Sequence, residues 1–197
     1  MDERLLRADA IVFDVGNVLL SFDPIKVASL LPEAYREPLS AVLFGPEFRW
    51  AKFDLCLTSN EEIAREIAEA AQVPGGAEMV LYVLRHFHET MAPLPMYRAI
   101  PSLRAMGKRL FALTNYPEPS FTLAMEAFPE LKTLDGQIVS AREKLGKPSQ
   151  DIFRLLISRY SLDPARSLFI DDVKANTDGA ALAGFQTWHY AGDDRLE

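Results

Sequence analysis

A few residues of this chain have types and positions suited to chemistry. Asp14 abruptly ends the apolar run Ala10-Ile11-Val12-Phe13. Thr114 ends Arg109-Leu110-Phe111-Ala112-Leu113, and Asp171-Asp172 end Ser167-Leu168-Phe169-Ile170. Lys147 sits in a Gly146-Lys147-Pro148 turn ahead of a helical pattern. In an open parallel sheet, ligands bind beyond the carboxyl ends of the strands. If the three strands are neighbours, three carboxylates and a hydroxyl converge there. Two like charges at 4 Å repel by about 4 kcal/mol at an effective dielectric near 20. A hard divalent cation relieves that repulsion, and carboxylate oxygen is what Mg²⁺ selects. Lys147 supplies a charge to meet an arriving anion. A carboxylate nucleophile, a hydroxyl donor, a lysine and a metal-binding pair are the groups that phosphoryl transfer requires. Each residue alone has an ordinary explanation, such as a helix cap for a strand-end Asp or a solvated face for the lysine. The set, in this order, is harder to explain that way.

These residues need a scaffold, and the pattern around them describes one. Short β-rich runs alternate with helical stripes, which predicts βα units and a parallel sheet in an α/β fold. The expected strands are 10–14, 109–114, 137–140, 167–171 and 186–190. Apolar residues at 96, 99, 100, 103 and 106 form a helical stripe that Gly107 is placed to end. Pro148 suits the first turn of a helix carrying Ile152, Phe153, Leu155 and Leu156, and Gly184 closes the helix before the fifth strand. About 90 residues separate the first two strands, more than one crossover needs. The excess reads as helical. Thr58-Ser59-Asn60-Glu61 resembles a capping box, Ile63, Ile67, Ala70 and Ala71 follow at helical spacing, and Met79, Val80, Val83, Leu84 and Phe87 form the next stripe. The expected organisation is a core of residues 1–20 and 94–197, with residues 21–93 as a helical cap.

The bulk properties narrow the partners. A net charge of −7 argues against general nucleic-acid binding, which uses basic surfaces. A small anionic substrate is still compatible, because a local pocket can oppose the global sign. No apolar run approaches the roughly 20 residues of a membrane span, and the amino terminus lacks the apolar stretch of a signal peptide. The single cysteine, Cys56, permits no internal disulfide. A soluble cytoplasmic protein, acting on a small molecule and on neither nucleic acid nor membrane, is the expectation. His86, His88 and His189 lack a third partner at metal-ligand spacing and read as structural.

Asp14-Val15-Gly16-Asn17-Val18, Leu113-Thr114-Asn115, Gly146-Lys147-Pro148 and Phe169-Ile170-Asp171-Asp172 with Asn176 together resemble the four motifs of the haloacid dehalogenase-like hydrolase superfamily. The resemblance spans nearly the whole chain. It implies a Rossmann-like sheet of strand order 5-4-1-2-3, with a helical cap of the C1 type inserted after the first strand. It is nearest to small bacterial phosphatases that carry Asp-x-Gly-Asn-Val, including sugar-1-phosphate phosphatases. On that basis Asp14 is the nucleophile, and Thr114, the Asn115 backbone and Lys147 hold the phosphoryl oxygens. Mg²⁺ is bound by Asp14, the Gly16 carbonyl and Asp172, with Asp171 as a further or outer ligand. Asp172 is preferred because it stands four residues before Asn176. The negative charge left over after Mg²⁺ and Lys147 suggests a further cation, drawn from the cap. Arg49, in the aromatic stretch 44–50, is a candidate substrate contact.

One position departs from the pattern. Most phosphatases of the superfamily carry a second Asp two residues after the nucleophile, as general acid and base. Here that residue is Gly16. Such catalysis usually contributes about 10²–10⁴-fold. Three readings follow: a phosphatase that is slow or acts on good leaving groups, such as a sugar 1-phosphate; a site that recruits water or a cap residue instead; or a protein that binds phosphate compounds without turnover. Metal-independent 2-haloacid dehalogenases also lack this Asp. Their site would gain nothing from the adjacent Asp171 and Asp172, which would oppose a nucleophilic Asp14.

Overall fold

The structure, a computed structural model, describes residues 2–45 and 50–190, with residues 50 and 51 by backbone alone. Arg49 lies outside the described residues. Along the chain run α1 (Glu3–Arg7), β1 (Ala10–Phe13), α2 (Pro24–Ala28), α3 (Glu33–Leu43), α4 (Trp50–Asp54), α5 (Asn60–Ala70), α6 (Gly76–His86) and α7 (Pro95–Ala105). They are followed by β2 (Arg109–Thr114), α8 (Ser120–Ala127), β3 (Gly136–Val139), α9 (Ser140–Glu143), α10 (Gln150–Tyr160), β4 (Ser167–Asp171), α11 (Lys174–Leu182) and β5 (Gln186–His189).

The sheet is five-stranded and parallel, in the order β3-β2-β1-β4-β5. This is the expected order 5-4-1-2-3, read from the other edge. β1 is buried along its whole length, as a central strand covered on both faces must be. Its side chains alternate between two cores. Ile11 and Phe13 join Leu110, Ala112, Leu168 and Ile170 on one face. Ala10 and Val12 join Phe111, Leu113 and Phe169 on the other, beneath Ile152, Phe153 and Leu156 of α10. The first core does not stop at the sheet. It continues through Leu20 and Phe87 into Leu39, Ile63, Ile67, Val80 and Val83, so the helices between β1 and β2 share one apolar cluster with the sheet.

Two local details differ from the sequence expectation. The capping box at the start of α5 is one residue later: Ser59 accepts from the Glu62 amide and Glu62 accepts from the Ser59 amide, while Thr58 donates to Glu62 from outside. A glutamate three residues after Ser59 completes the reciprocal pair, which Glu61 would have done only for Thr58. Pro148 is not in the first turn of α10 either. Ser149 is the cap residue, its hydroxyl accepting from the Asp151 amide, so Pro148 belongs to the loop that carries Lys147.

Register decides what meets at the carboxyl edge. Phe13 is level with Ala112 of β2 and Ile170 of β4. Asp14, one residue on, therefore emerges beside Asp171, and its amide donates to the Ile170 carbonyl at 2.8 Å. Among the described residues no helix is long and apolar enough to cross a membrane.

Candidate active site

At this edge Lys147 is the hub. Its Nζ lies 2.9 Å from Asp14 Oδ1 and 2.6 Å from Asp171 Oδ2. All three side chains are buried, Lys147 at 1% and Asp171 at 0% exposure, so the pairs are shielded from solvent screening. Burial alone would lower the lysine's pKa, but the two facing carboxylates raise it, and the ammonium persists. Asp14 moves the other way from the usual carboxylate range. Burial first, and then Asp171 and Asp172, raise it to about 6 against the opposing pull of Lys147.

The loop holding Lys147 is fixed by Asn115. The Asn115 side chain accepts from the Lys147 amide at 2.9 Å and donates to the Lys147 carbonyl at 3.0 Å. One amide side chain thus imitates a strand partner and ties the end of β2 to the lysine turn. Thr114 ends β2, is 1% exposed, and lines the cavity above Asp14.

Asp171 and Asp172 are adjacent but do not have the same freedom. Asp171 accepts from the Val173 amide at 2.8 Å, from Asn176 Nδ2 at 3.0 and 3.1 Å, and from Lys147. Both of its oxygens are committed. Asp172 is half-buried and, among the described side chains, accepts from Asn17 Nδ2, at 3.1 Å on Oδ2. Burial raises its pKa, with the Asn17 hydrogen bond opposing. Asn17 is a site residue that the sequence left as mere motif filler. It takes a positive φ of 54°, and its Oδ1 accepts from the Phe22 amide at 2.8 Å.

The oxygens of Asp14, Asp171 and Asp172 include a set lying within 4.8 Å of one another. Three hard anionic donors this close, with Asp172 still offering an oxygen, fit a small divalent cation. Gly16 lines the same cavity, and a Cβ built on it would meet nothing within 4 Å.

That cavity, of about 170 Å³, is smaller than the several hundred Å³ usual for drug-sized ligands, which limits any occupant to a small body. Its floor is Asp14, Gly16, Asn17, Thr114, Asn115 and Asp172; its walls are largely apolar, from Phe22, Phe53, Phe87, Met91, Tyr116 and Pro117. Asp54, at the end of α4, also faces it. No Arg or Lys is among the described residues lining it. The further cation expected from residues 21–93 is thus not found there among these residues, and the ionisable group that the helices between β1 and β2 present is an acid. Nothing in the sequence distinguished Asp54, since it belongs to no motif and lies far along the chain from the strand ends.

The family model of the haloacid dehalogenase-like hydrolases matches residues 8–184. The chain belongs to that family. Among the relatives, the sesquiterpene phosphatase astK of Aspergillus oryzae is 22% identical over 184 residues, covering 91% of this chain and 88% of the fungal one. The acyl-CoA dehydrogenase family member 10 of Mus musculus is 30% identical over 190 residues, 90% of this chain but only 17% of the mouse protein, so the similarity concerns one part of a much longer polypeptide. In three dimensions, a HAD family enzyme of Bacteroides thetaiotaomicron, solved with magnesium and inorganic phosphate, superposes with a TM-score of 0.79 at 15% identity, covering 96% of this chain and 97% of that one. The L-2-haloacid dehalogenase of Xanthobacter autotrophicus gives 0.67 at 17% identity, covering 91% and 76%. At these identities the fold is shared. It is the fold of a HAD family enzyme that binds magnesium and phosphate and also of a dehalogenase.

Proposed function

We propose that this hydrolase is a Mg²⁺-dependent phosphatase of a small phosphate monoester, working through an aspartyl phosphate on Asp14. The observation that carries the reading is the three-carboxylate cluster around Lys147. Without a cation, Asp171 and Asp172 only oppose the ionised form of Asp14. With one, they serve it. Asp14, the Gly16 carbonyl and Asp172 would hold the ion, Asp172 because it has an uncommitted oxygen; Asp171 would hold Lys147 in place from outside. Bound Mg²⁺ would neutralise charge on the phosphoryl oxygens and orient the group for attack.

The chain's own residues do the rest. Asp14 attacks phosphorus in line. Thr114, the Asn115 backbone and Lys147 stabilise the equatorial oxygens as charge develops on them. The cap-side walls select the alcohol. Phe22, Phe53, Phe87 and Met91 suit an apolar alcohol better than the hydroxyl-rich ring of a sugar phosphate, in keeping with the sesquiterpene phosphatase among the relatives. The organisation this implies is a catalytic core of 1–20 and 94–197 beneath a cap of 21–93.

The test is an assay with alkyl and aryl phosphates. Turnover is expected with Mg²⁺ and is expected to vanish with EDTA. Asp14→Asn should lose on the order of 10⁴-fold or more in kcat, as removal of a nucleophile does. Metal-independent release of chloride from a 2-chloroacid would overturn the reading in favour of a dehalogenase, and silence in both assays would favour a phosphate-binding protein without turnover.

A further inference from the structure

A phosphatase acting on an unactivated alcohol must protonate the departing oxygen, and then deprotonate the water that frees the nucleophile. Most groups in the described site cannot do this. Asp14 is the nucleophile. Asp171 is saturated with donors, and Asp172 belongs to the cation site. The Tyr116 hydroxyl is directed to Met91 Sδ at 3.3 Å, and burial raises its pKa still further above that of a free phenol. Gly16 has no side chain.

Asp54 is different. It lines the cavity together with Asp14, Phe53, Tyr116 and Pro117, close enough to Asp14 for the two charges to interact. No described residue donates a hydrogen bond to its carboxyl group, whereas its backbone is held firmly. Ser140 Oγ donates to the Asp54 carbonyl at 2.6 Å. Lys144 Nζ donates to the carbonyls of Leu55 and Cys56 at 2.8 and 3.1 Å. The Glu118 amide donates to Cys56 Sγ at 3.3 Å, and that thiol lies 3.4 Å from the Glu118 carbonyl. Residues following β2 and β3 thus clamp the end of α4, and the clamp places one unpartnered carboxyl group against the cavity that holds Asp14.

We propose that Asp54 is the general acid and base of the reaction, supplied by the cap to the cavity that it shares with the nucleophile. This rests on the phosphatase reading above. In the first step a carboxylate oxygen of Asp14 bonds to phosphorus as the bond from phosphorus to the ester oxygen breaks, and Asp54 gives its proton to that oxygen. In the second step the Asp54 carboxylate takes a proton from water. The water oxygen bonds to phosphorus, the bond from phosphorus to Asp14 breaks, and phosphate leaves with Asp14 ionised and Asp54 protonated again.

The surroundings suit a group that must hold a proton and give it up near neutrality. Burial, and then the charge of Asp14, raise the Asp54 pKa to about 7, against a smaller opposing pull from Lys147. Among the described residues the other ionisable groups around it are Asp172 and Tyr116 on the cavity, and Lys52, Cys56, Lys144 and Glu118 outside it, with Lys52 paired to Glu66 and Cys56 to the Glu118 backbone. Lys144 is engaged with the Leu55 and Cys56 carbonyls, and Glu118 with Arg142.

The experiment compares hexyl phosphate, a poor leaving group, with p-nitrophenyl phosphate, a good one, in the wild type and Asp54→Asn with Mg²⁺. Asparagine matches the neutral carboxyl group in shape, and a melting curve checks the fold. Hexyl phosphate turnover should fall by about 10²–10⁴-fold with KM little changed. With p-nitrophenyl phosphate the variant should release one equivalent of nitrophenolate in a burst and then stall, because the aspartyl phosphate forms but hydrolyses slowly. Equal losses on both esters without a burst, or a change in KM alone, would overturn the proposal and leave Asp54 a wall residue. A second measurement follows pH with Mg²⁺ present: wild-type kcat/KM for hexyl phosphate should decline on the alkaline side as Asp54 loses its proton, Asp54→Asn should lack that decline, and an identical profile in both would overturn the proposal as well. A wild type silent on both esters overturns the phosphatase reading and this inference together. An active wild type matched by Asp54→Asn overturns this inference alone.

Discussion

The two sides of the cavity are built on opposite principles. On the core side, polar groups are packed against one another and nearly all are engaged: Lys147 with Asp14 and Asp171, Asp171 with Asn176 and the Val173 amide, Asn115 with the backbone of Lys147, Asn17 with Asp172. On the side of the proposed cap the contacts are aromatic or aliphatic, and among the described residues one carboxyl group is left without a hydrogen bond. On the proposed phosphatase reading, the difference follows from what each must recognise. A phosphoryl group is the same in every ester, so the side that meets it can be rigid and preorganised. The alcohol varies, and apolar walls discriminate weakly, by volume and polarity more than by hydrogen bonds.

If the core side is a single electrostatic unit, breaking its hub should cost both folding and rate. Lys147→Met leaves Asp14 and Asp171 buried without their cation. Removal of one partner from a buried pair destabilises by about 3–5 kcal/mol. We expect a fall in unfolding free energy of that order by urea denaturation, partly recovered on adding Mg²⁺, together with a loss of roughly 10²–10³-fold in kcat, the scale for removing one preorganised contact to developing charge. A variant as stable as the wild type, and insensitive to Mg²⁺, would separate the lysine from the metal site.

A smaller effect should come from behind the unit. Gly179 of α11 packs against the lysine loop, and a Cβ there would lie 2.8 Å from the Pro148 carbonyl oxygen and 3.1 Å from Phe153. The first of these is backbone and cannot swing aside. Gly179→Ala should therefore cost about 1–3 kcal/mol in stability, as overpacking does. It should also lower kcat several-fold, because the displaced Pro148 carries Lys147 with it. If stability fell while kcat held, the lysine loop would be more independent of α11 than its packing indicates.

The contrast between the sides also explains what was legible in the sequence. The strands were readable because a buried parallel strand is a short apolar run, and Asp14, Thr114 and Asp171 were readable because each ends one. Their convergence followed from strand order, which the four motifs together implied. The separate duties of Asp171 and Asp172 were not readable. They depend on which oxygen meets Asn17, Asn176 or Lys147, and adjacency in sequence carries no such information. Asp54 was illegible for a different reason. It reaches the cavity through the fixing of α4 by Ser140, Lys144 and Glu118, contacts made 62 or more residues along the chain. The capping box falls one residue later than the spacing suggests because Thr58 and Ser59 are both competent caps, and only the backbone chooses between them.

The mildest expected effect bears on the cap side alone. Phe22 follows the first motif, lines the cavity, and meets the rings of Phe44 and Phe87 edge-on at 6.4 and 6.1 Å. Its amide is held by Asn17, whose other end holds Asp172. Phe22→Ala removes the ring but keeps that amide, so the floor of the site is undisturbed while one apolar wall is lost. A few methylene equivalents in an apolar pocket are worth about 1–3 kcal/mol in discrimination. The kcat/KM for hexyl phosphate should therefore fall about tenfold relative to that for a sugar phosphate, while inhibition by inorganic phosphate stays as it was. If phosphate inhibition weakened in parallel, the ring would be supporting Asn17 and the floor, and the two sides of the cavity would not be separable at this residue. If the preference did not shift at all, the alcohol would be recognised elsewhere on the cap.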